Sequence, residues 1–441
     1  MLDIKLFRES PEKVKESERK RFRDTENVDK VIEYDKKWRD VLQQLNELRK
    51  QRNTVTKDIS SIYKGLKKIK DKDEIKAQKE KAEELKEKSR EIGNQIKAKE
   101  PIVQELEEKR DEYRYKVGNI LHKDTPIFDD EENNVVLREV GRQRTFQFDA
   151  KNHVDLVETV GGVNLEKASE VVGHRFYYLK NELVRLNLAL MNYALDVLQD
   201  GGYTPIWTPF FIKHEVIKEA AELADFEEQL YKIQDEDLYL IATSEQTLAA
   251  LHRGEIIDEN KLPIMYAGVS SCFRREAGSH GRDTLGIFRV HQFEKVEQYV
   301  FCEEEDADKM HKQLIETAEK IYKGLEIPYR IVNIVSGELN DNAAIKYDLE
   351  GWFAGQEKYR ELVSCSNCTD YQARKLKIRY GTIGDNDTYR AVYTLNGTAI
   401  ATERTICCIL ENYQNEDGSV DIPQVLIPYM NGLTKIKARK N

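Results

Sequence analysis

Cysteine, proline and glycine are all sparse in this chain of 441 residues, which has six, nine and 23 of them. The cysteines, at 272, 302, 365, 368, 407 and 408, show no disulfide-scaffold spacing. Cys365 and Cys368 have the spacing of half a four-thiolate zinc site, but the other pair, Cys407 and Cys408, is adjacent and does not supply a second half. Reduced thiols are therefore expected, and no zinc. No run approaches the roughly 20 apolar residues of a membrane span, and the start MLDIKLFRESPEKVK has no apolar signal-like core. The expectation is a cytoplasmic protein with no membrane association. Neither a Walker A sequence nor a Rossmann glycine fingerprint is present.

Charge is plentiful, at 34% of the residues, and unevenly spread. Residues 1–120 carry 33 Lys and Arg against 27 Asp and Glu, a net of +6, whereas the remainder carries 37 against 53, a net of −16. A basic first part on an acidic body suggests a polyanion partner for that part, though long charged helices often carry such an excess. The same part has the clearest periodicity. Val31, Tyr34, Trp38, Val41, Leu45, Leu48, Val55, Ile59 and Ile62 advance by alternate steps of three and four, with Arg52 at the gap. Ile75, Ala82, Leu85, Ile92, Ile96, Val103, Leu106, Tyr113, Val117 and Ile120 keep the same register, interrupted by Gln78, Ser89, Lys99 and Arg110. Heptads sustained this long predict a coiled coil. Between them SIYKGLKKIKDKDE, with Gly65 and many lysines, predicts a turn, so the helices fold back as an antiparallel hairpin on the order of 60 Å long. Pro101 should kink the second helix. Such an arm either oligomerises or, its seam already buried, offers its outer faces to another molecule.

Around residues 124–145 the heptads stop, and Pro126, the run DDEENN and Gly141 mark a linker. The division expected is an arm over 1–122, a linker over 123–145 and a body over 146–441. In the body HRFYYLKNELVRLNLALMNYALDVL (174–198) predicts an amphipathic helix, with further helical patterns at 304–324 and 402–413. DLYLIAT, IMYAGVS, IFRVHQFEKVEQYVF and YRIVNIVSG read as strands paired in hairpins. The expected fold class is α+β: an antiparallel coiled-coil hairpin followed by an antiparallel β-sheet flanked by helices.

Residues 272–297, CFRREAGSHGRDTLGIFRVHQFEKVE, crowd four arginines, two histidines and four carboxylates among three glycines. Read as two strands around GSHGRDTLG, they put Arg274 and Glu276 on one strand face, and Arg289, His291, Phe293 and Glu297 on a face of the other. Arginines for phosphates, a ring for a base and a carboxylate for a donor suit a nucleotide. A salt-bridged exposed hairpin would carry the same residues. TLNGTAIATERTICCILENYQ (394–414) adds a strand with Gly397, Ala399 and Ala401 at alternate positions, which would leave room for a ligand on that face. It also sets Arg404 near a helix N-terminus, where anions are favoured. In YRELVSCSNCTDYQARKLKIRY (359–380), Glu361 and Ser364 are hard oxygen ligands suited to Mg²⁺.

These segments together resemble class II aminoacyl-tRNA synthetases, and the likeness is closer to seryl-tRNA synthetases of the eukaryotic cytosolic or archaeal type. GGYTPIWTPFFIKHEV (201–216) resembles motif 1, with Pro209 as its proline. CFRREAGSHGRDTLGIFRVHQF resembles motif 2, and TLNGTAIATER resembles motif 3. ATSEQTLAALHRGE (242–255) resembles the serine-binding loop. With the arm, the likeness covers nearly the whole chain.

The resemblance implies activation of L-serine with ATP to seryl-adenylate and pyrophosphate, then transfer of serine to the terminal adenosine of serine tRNA. Thr243 and Glu245 would hold the serine ammonium, and Arg274 the serine carboxylate and the α-phosphate. Glu297, helped by Asn396 and Thr398, would read the hydroxyl. Phe293 and Arg404 would sandwich the adenine, while Glu276 and the backbone of Val290, His291, Gln292 and Phe293 read its edge. Arg289 would hold the bent triphosphate. Glu361 and Ser364 would ligate Mg²⁺, with Leu362 and Val363 completing that wall of the ATP site. Catalysis would rest on Arg274, Arg404 and Glu361. Loop 278–286 would face the tRNA acceptor end. Motif 1 implies a homodimer, in which the arm of one subunit reaches the long variable arm of a serine tRNA bound by the other. The brief arm tip and the short tail NGLTKIKARKN depart from eukaryotic members, which puts in doubt any partner of those extensions.

Overall fold

The computed structural model describes residues 1–220, 229–276 and 285–439. The chain divides into two compact units: Ile4–Glu16 with Asp24–Val117, and Met1–Asp3 with Ser17–Arg23 and Gly118–Asn441.

In the first unit, helix α1 (Glu26–Leu66) and helix α2 (Lys72–Tyr115) pack side by side. Leu45, Val55, Ile92 and Ile96 form the buried seam, with Leu48, Ile59, Leu85 and Val103 against it. Cross-hairpin pairs fix the antiparallel register: the rings of Tyr34 and Tyr113 stack at 5.6 Å, and Arg49 meets Glu100 at 2.9 Å. Gly65 lies inside the last turn of α1, and the reversal comes just after it, ending where the Asp71 side chain caps α2 by accepting from the Asp73 and Glu74 amides. Helix α2 runs through Pro101. Arg110, a polar residue in the apolar register, is buried because it has partners there. Its guanidinium covers the Trp38 ring at 4.9 Å and lies 3.8 Å from the buried carboxylate of Asp35, which Arg8 and Arg39 also hold.

The second unit is built on an eight-stranded sheet. In chain order its strands are β1 (Val135–Val140), β2 (Thr204–Trp207), β3 (Ile264–Phe273), β4 (Gln292–Cys302), β5 (Tyr329–Asn333), β6 (Ile345–Phe353), β7 (Lys358–Asn367) and β8 (Tyr393–Ala401). They lie side by side as β1-β5-β6-β7-β8-β4-β3-β2. Every pairing is antiparallel except β2 with β3, which is parallel. Helices α3 (Glu182–Asp200), α4 (Ala307–Gly324) and α5 (Thr402–Asn412) supply Leu186, Leu190, Leu314, Ile321, Ile406 and Ile409 to one apolar core with Val296, Val300, Leu349, Val363 and Leu395 of the strands. Because side chains alternate along a strand, the opposite face carries Phe293, Lys295, Glu297 and Tyr299 on β4 and their registered neighbours. From Phe293 to Glu297 that face is polar, and it is where the chemistry gathers; beyond it, Tyr299 and Phe301 pack into a second apolar cluster with Leu248 and Leu376. All six cysteines are buried.

Two bulges decide which residues reach it. Between β6 and β7 the register runs Leu349↔Val363 and then Glu350↔Glu361, so Leu362 is the extra residue. Glu361 and Ser364, three apart, would otherwise face opposite ways; the bulge turns both to the polar face. Between β8 and β4 the register runs Thr398↔Glu297 and then Ile400↔Val296, which returns Ala401 to that face opposite Lys295.

Candidate active site

One half of the polar face is closed by the segment 243–249. Gly268 on β3 pairs with Glu297, and a Cβ there would meet Leu248 Cδ1 at 2.6 Å and Ser244 Oγ at 2.9 Å. The missing side chain lets the short helix Glu245–Ala249 press onto the strand beside Glu297. Glu297 is 2% exposed and forms an ion pair with Lys295; Thr243 Oγ1 reaches its Oε2 at 3.5 Å. Glu245 Oε1 accepts from Asn396 Nδ2 at 3.1 Å and from Gln372 Nε2 at 2.8 Å. Two carboxylates, Glu297 buried and Glu245 half-buried, are thus held with their partners already in place.

The other half opens into a cavity of about 230 Å³, lined by Arg274, Glu276, Phe288, Arg289, Val290, Phe293, Lys295, Glu361, Leu362, Thr398, Ala401, Glu403 and Arg404. Its guanidiniums lie over rings: Arg274 at 5.3 Å from the Phe293 centroid, Arg404 at 5.1 Å from that of Phe288. Arg360 lies 3.9 Å from the Phe288 centroid as well, so this ring has two cationic neighbours. Arg274 Nε donates to the Ala242 carbonyl at 3.2 Å, tying the cavity to the closed half. Arg404, in the first turn of α5, meets Glu361 Oε2 at 3.3 Å. Arg289 meets Glu276 at 3.6 Å, and its buried Nε has no partner.

The carboxyls here are pushed apart. Desolvation works to raise that of Glu361, but Arg404, Lys346 and Arg274 overcome it and hold the group below its usual range. Burial pushes Asp348, on the neighbouring strand, up to about 7, and Glu403 up to about 8. Asp348 Oδ1 and Glu403 Oε2 are buried without partners. An ionised Glu361 on the same face as the Ser364 hydroxyl is a donor set that fits Mg²⁺. Among the described residues no three His, Cys, Asp or Glu side chains cluster as a metal site.

Of the residues singled out by sequence, Arg274, Glu276, Arg289, Val290, Phe293, Glu361, Leu362, Thr398 and Arg404 line the cavity, and Thr243, Glu245, Glu297 and Asn396 form the closed half. His291, Gln292, Val363 and Ser364 do not line the cavity. His291 is turned back, its Nδ1 2.8 Å from the Arg274 carbonyl, and Val363 faces the helices.

Two expectations need correction. The strands end at Phe273 and begin at Gln292, so Arg274, Glu276, Arg289 and His291 lie beyond them and are placed by the connecting backbone rather than by strand alternation. Gly397 does not clear space for a ligand. It pairs with Cys365 and Gln298 on the helix-facing side, where a Cβ would meet Cys365 Sγ at 2.6 Å, and Ala399 is in the helix-side core. Most of loop 278–286, and the whole of 277–284, lies outside the described residues.

Sequence reading missed Lys295, Phe288, Gln372 and Glu403. Lys295 was open to discovery, since it sits between Phe293 and Glu297 at the same parity. Nothing local marks the other three.

Both parts of the chain match known families. Residues 1–121 match the family described as "Seryl-tRNA synthetase N-terminal domain", and residues 229–413 match "tRNA synthetase class II core domain (G, H, P, S and T)". The chain is 57% identical to a protein of Methanosphaera stadtmanae named serine–tRNA ligase, over 100% of both chains. It is 47% identical to the cytoplasmic serine–tRNA ligase of Arabidopsis thaliana, over 98% of this chain and 96% of that one. The crystal structure of seryl-tRNA synthetase from Pyrococcus horikoshii complexed with ATP superposes with a TM-score of 0.91 at 44% identity, covering 100% of each chain. Full-length identity at this level, with both domains matched in order, makes the chain a member of the seryl-tRNA synthetase family of class II aminoacyl-tRNA synthetases.

Proposed function

We propose that the family activity, ligation of serine to tRNA, is divided in this chain between the two halves of the polar sheet face. The closed half takes serine and the cavity takes ATP. The observation that carries this reading is the adjacency of two unlike sites: a buried Glu297 and a half-buried Glu245 with fixed partners, and a cavity rimmed by Arg274, Arg289 and Arg404.

The physics follows from the charges. Serine brings an ammonium, a carboxylate and a hydroxyl. Glu245 and Thr243 receive the ammonium, Arg274 the carboxylate, and Glu297 the hydroxyl, with Asn396 and Thr398 beside it. ATP brings a base and a polyanion. Phe293 and Arg404 offer two flat faces to adenine, Glu276 and the backbone of 290–293 its edge, and Arg289 an uncommitted donor to phosphate. The serine carboxylate oxygen attacks the α-phosphorus; the bond to the bridging oxygen breaks, and pyrophosphate leaves with that electron pair. No protein nucleophile is needed. The protein contributes alignment and neutralised charge, both of which arginines give without reorganising. Glu361 and Ser364 would hold Mg²⁺, which when bound offsets phosphate charge.

Serine would then pass to the terminal ribose of tRNA. The arm supports a tRNA partner by its exposed tip, where Lys64, Lys67, Lys68, Lys70 and Lys72 are all solvent-facing. The motif 1 segment supports a homodimer, since Trp207 is 73% exposed and Phe211 50%. No helix among the described residues is long and apolar enough to cross a membrane, and a cytoplasmic location is proposed by analogy with the Arabidopsis relative.

Serine-dependent exchange of pyrophosphate into ATP tests the reading. Exchange with pure protein and serine is expected, and none would overturn it. Replacing residues 45–105 with a short turn should leave exchange intact and abolish tRNA charging; charging that survives would remove the arm from tRNA recognition.

A further inference from the structure

Beneath the closed half lies a buried amide held by three side-chain hydrogen bonds. Gln372, on the short helix Tyr371–Leu376, is 2% exposed. Its Oε1 accepts from Tyr299 Oη at 3.0 Å and from Thr394 Oγ1 at 3.0 Å. Its Nε2 donates to Glu245 Oε1 at 2.8 Å. A carboxylate oxygen only accepts, so the NH₂ end of the amide faces Glu245, and the carbonyl end is left to take the two hydroxyl donors. Tyr299 and Thr394 are themselves fully buried, and burial holds the Tyr299 phenol well above its usual range, so it stays a donor. Glu245 Oε1 is therefore met by two N–H groups, from Gln372 and Asn396, which fix the plane of the carboxylate.

We infer that Gln372 is a positioning residue for serine: held by the Tyr299 and Thr394 hydroxyls, it orients Glu245 for the substrate ammonium. The inference rests on the assignment of Glu245 to that ammonium. Gln372 does not touch substrate, and it acts only through Glu245. Its removal should therefore weaken serine binding and leave ATP binding alone, which a general loosening of the fold would not do.

The test compares Gln372→Met, Thr394→Val, Glu245→Gln and the double variant Gln372→Met/Glu245→Gln in the full-length protein. Serine and ATP affinities are measured separately by calorimetry, with KM and kcat from pyrophosphate exchange. Gln372→Met is expected to raise the serine KM by about tenfold, as loss of a charge-assisted hydrogen bond permits, with ATP KM within about twofold. Thr394→Val, nearly isosteric, should move serine KM the same way by about two- to threefold. In the double variant the Gln372→Met effect should vanish, because the group it acts through is already altered. Equal losses for serine and ATP, or full additivity in the double variant, would overturn the inference. So would a clear effect of Glu245→Gln with none from Gln372→Met or Thr394→Val. No effect of Glu245→Gln itself would overturn the ammonium assignment along with it.

Discussion

The two halves of the polar sheet face are neighbours built on opposite rules. Around Glu297 the charges are already paired: Lys295 with Glu297, and Gln372 and Asn396 on Glu245. Around Arg404 some buried polar atoms are left uncommitted. Arg289 Nε, Glu403 Oε2 and Asp348 Oδ1 are buried with no partner, and the guanidiniums of Arg274 and Arg404 lie over rings. The difference matches what each half is proposed to read. A small zwitterion must be told from its analogues, which takes fixed hydrogen bonds that punish a missing group. A polyanion must chiefly be neutralised and aligned, which takes available cations in a partly enclosed space.

The contrast can be broken most severely at Glu297. Glu297→Ala leaves the buried Lys295 without its partner and removes the hydroxyl reader together. Serine activation should fall by about a thousandfold or more, while calorimetric ATP affinity stays within about twofold. Comparable losses of both would mean that the halves are not separate sites. Arg404→Ala is the converse change. It should raise ATP KM by roughly ten- to a hundredfold and leave serine affinity unchanged by calorimetry.

A smaller effect sharpens the same division. Arg360 lies over the Phe288 ring, and its Nη1 donates to Gln356 Oε1 at 3.0 Å, while Gln356 Nε2 donates to the buried Glu411 at 2.7 Å. Arg360→Met removes one of the two cations on Phe288 and should raise ATP KM by about threefold with no change for serine.

The smallest effect is on stability. The folded pKa of Glu403, pushed up by burial to about 8, lies above its unfolded value. The folded state therefore binds the extra proton between the two values, and the stabilisation is complete below the unfolded pKa and lost as pH rises through 8. The melting temperature should fall by a few degrees between pH 5 and 8 relative to Glu403→Gln, measured calorimetrically. Parallel curves for the two proteins would contradict this.

What could be read from sequence differs between the two units for a physical reason. The arm is a repeat of one local rule, so its seam of Leu45, Val55, Ile92 and Ile96 is visible in the heptads, and only the burial of Arg110 needed Asp35 and Trp38 to explain it. The polar face depends on register between strands far apart in the chain. Alternation ties Phe293 to Glu297 and should have found Lys295. It cannot reveal that Leu362 bulges and turns Glu361 towards Ser364, nor that Gly397 faces Cys365 and the helices. Gln372 was invisible because its significance comes from Glu245, Tyr299 and Thr394, which only the fold brings to it.

The most direct measurement is the ratio of kcat/KM in pyrophosphate exchange for serine over alanine, which differ by one hydroxyl. A buried Glu297 without a hydroxyl to receive should reject alanine by about ten-thousandfold. Exchange with alanine comparable to that with serine would contradict the reading of the closed half as the site that recognises serine.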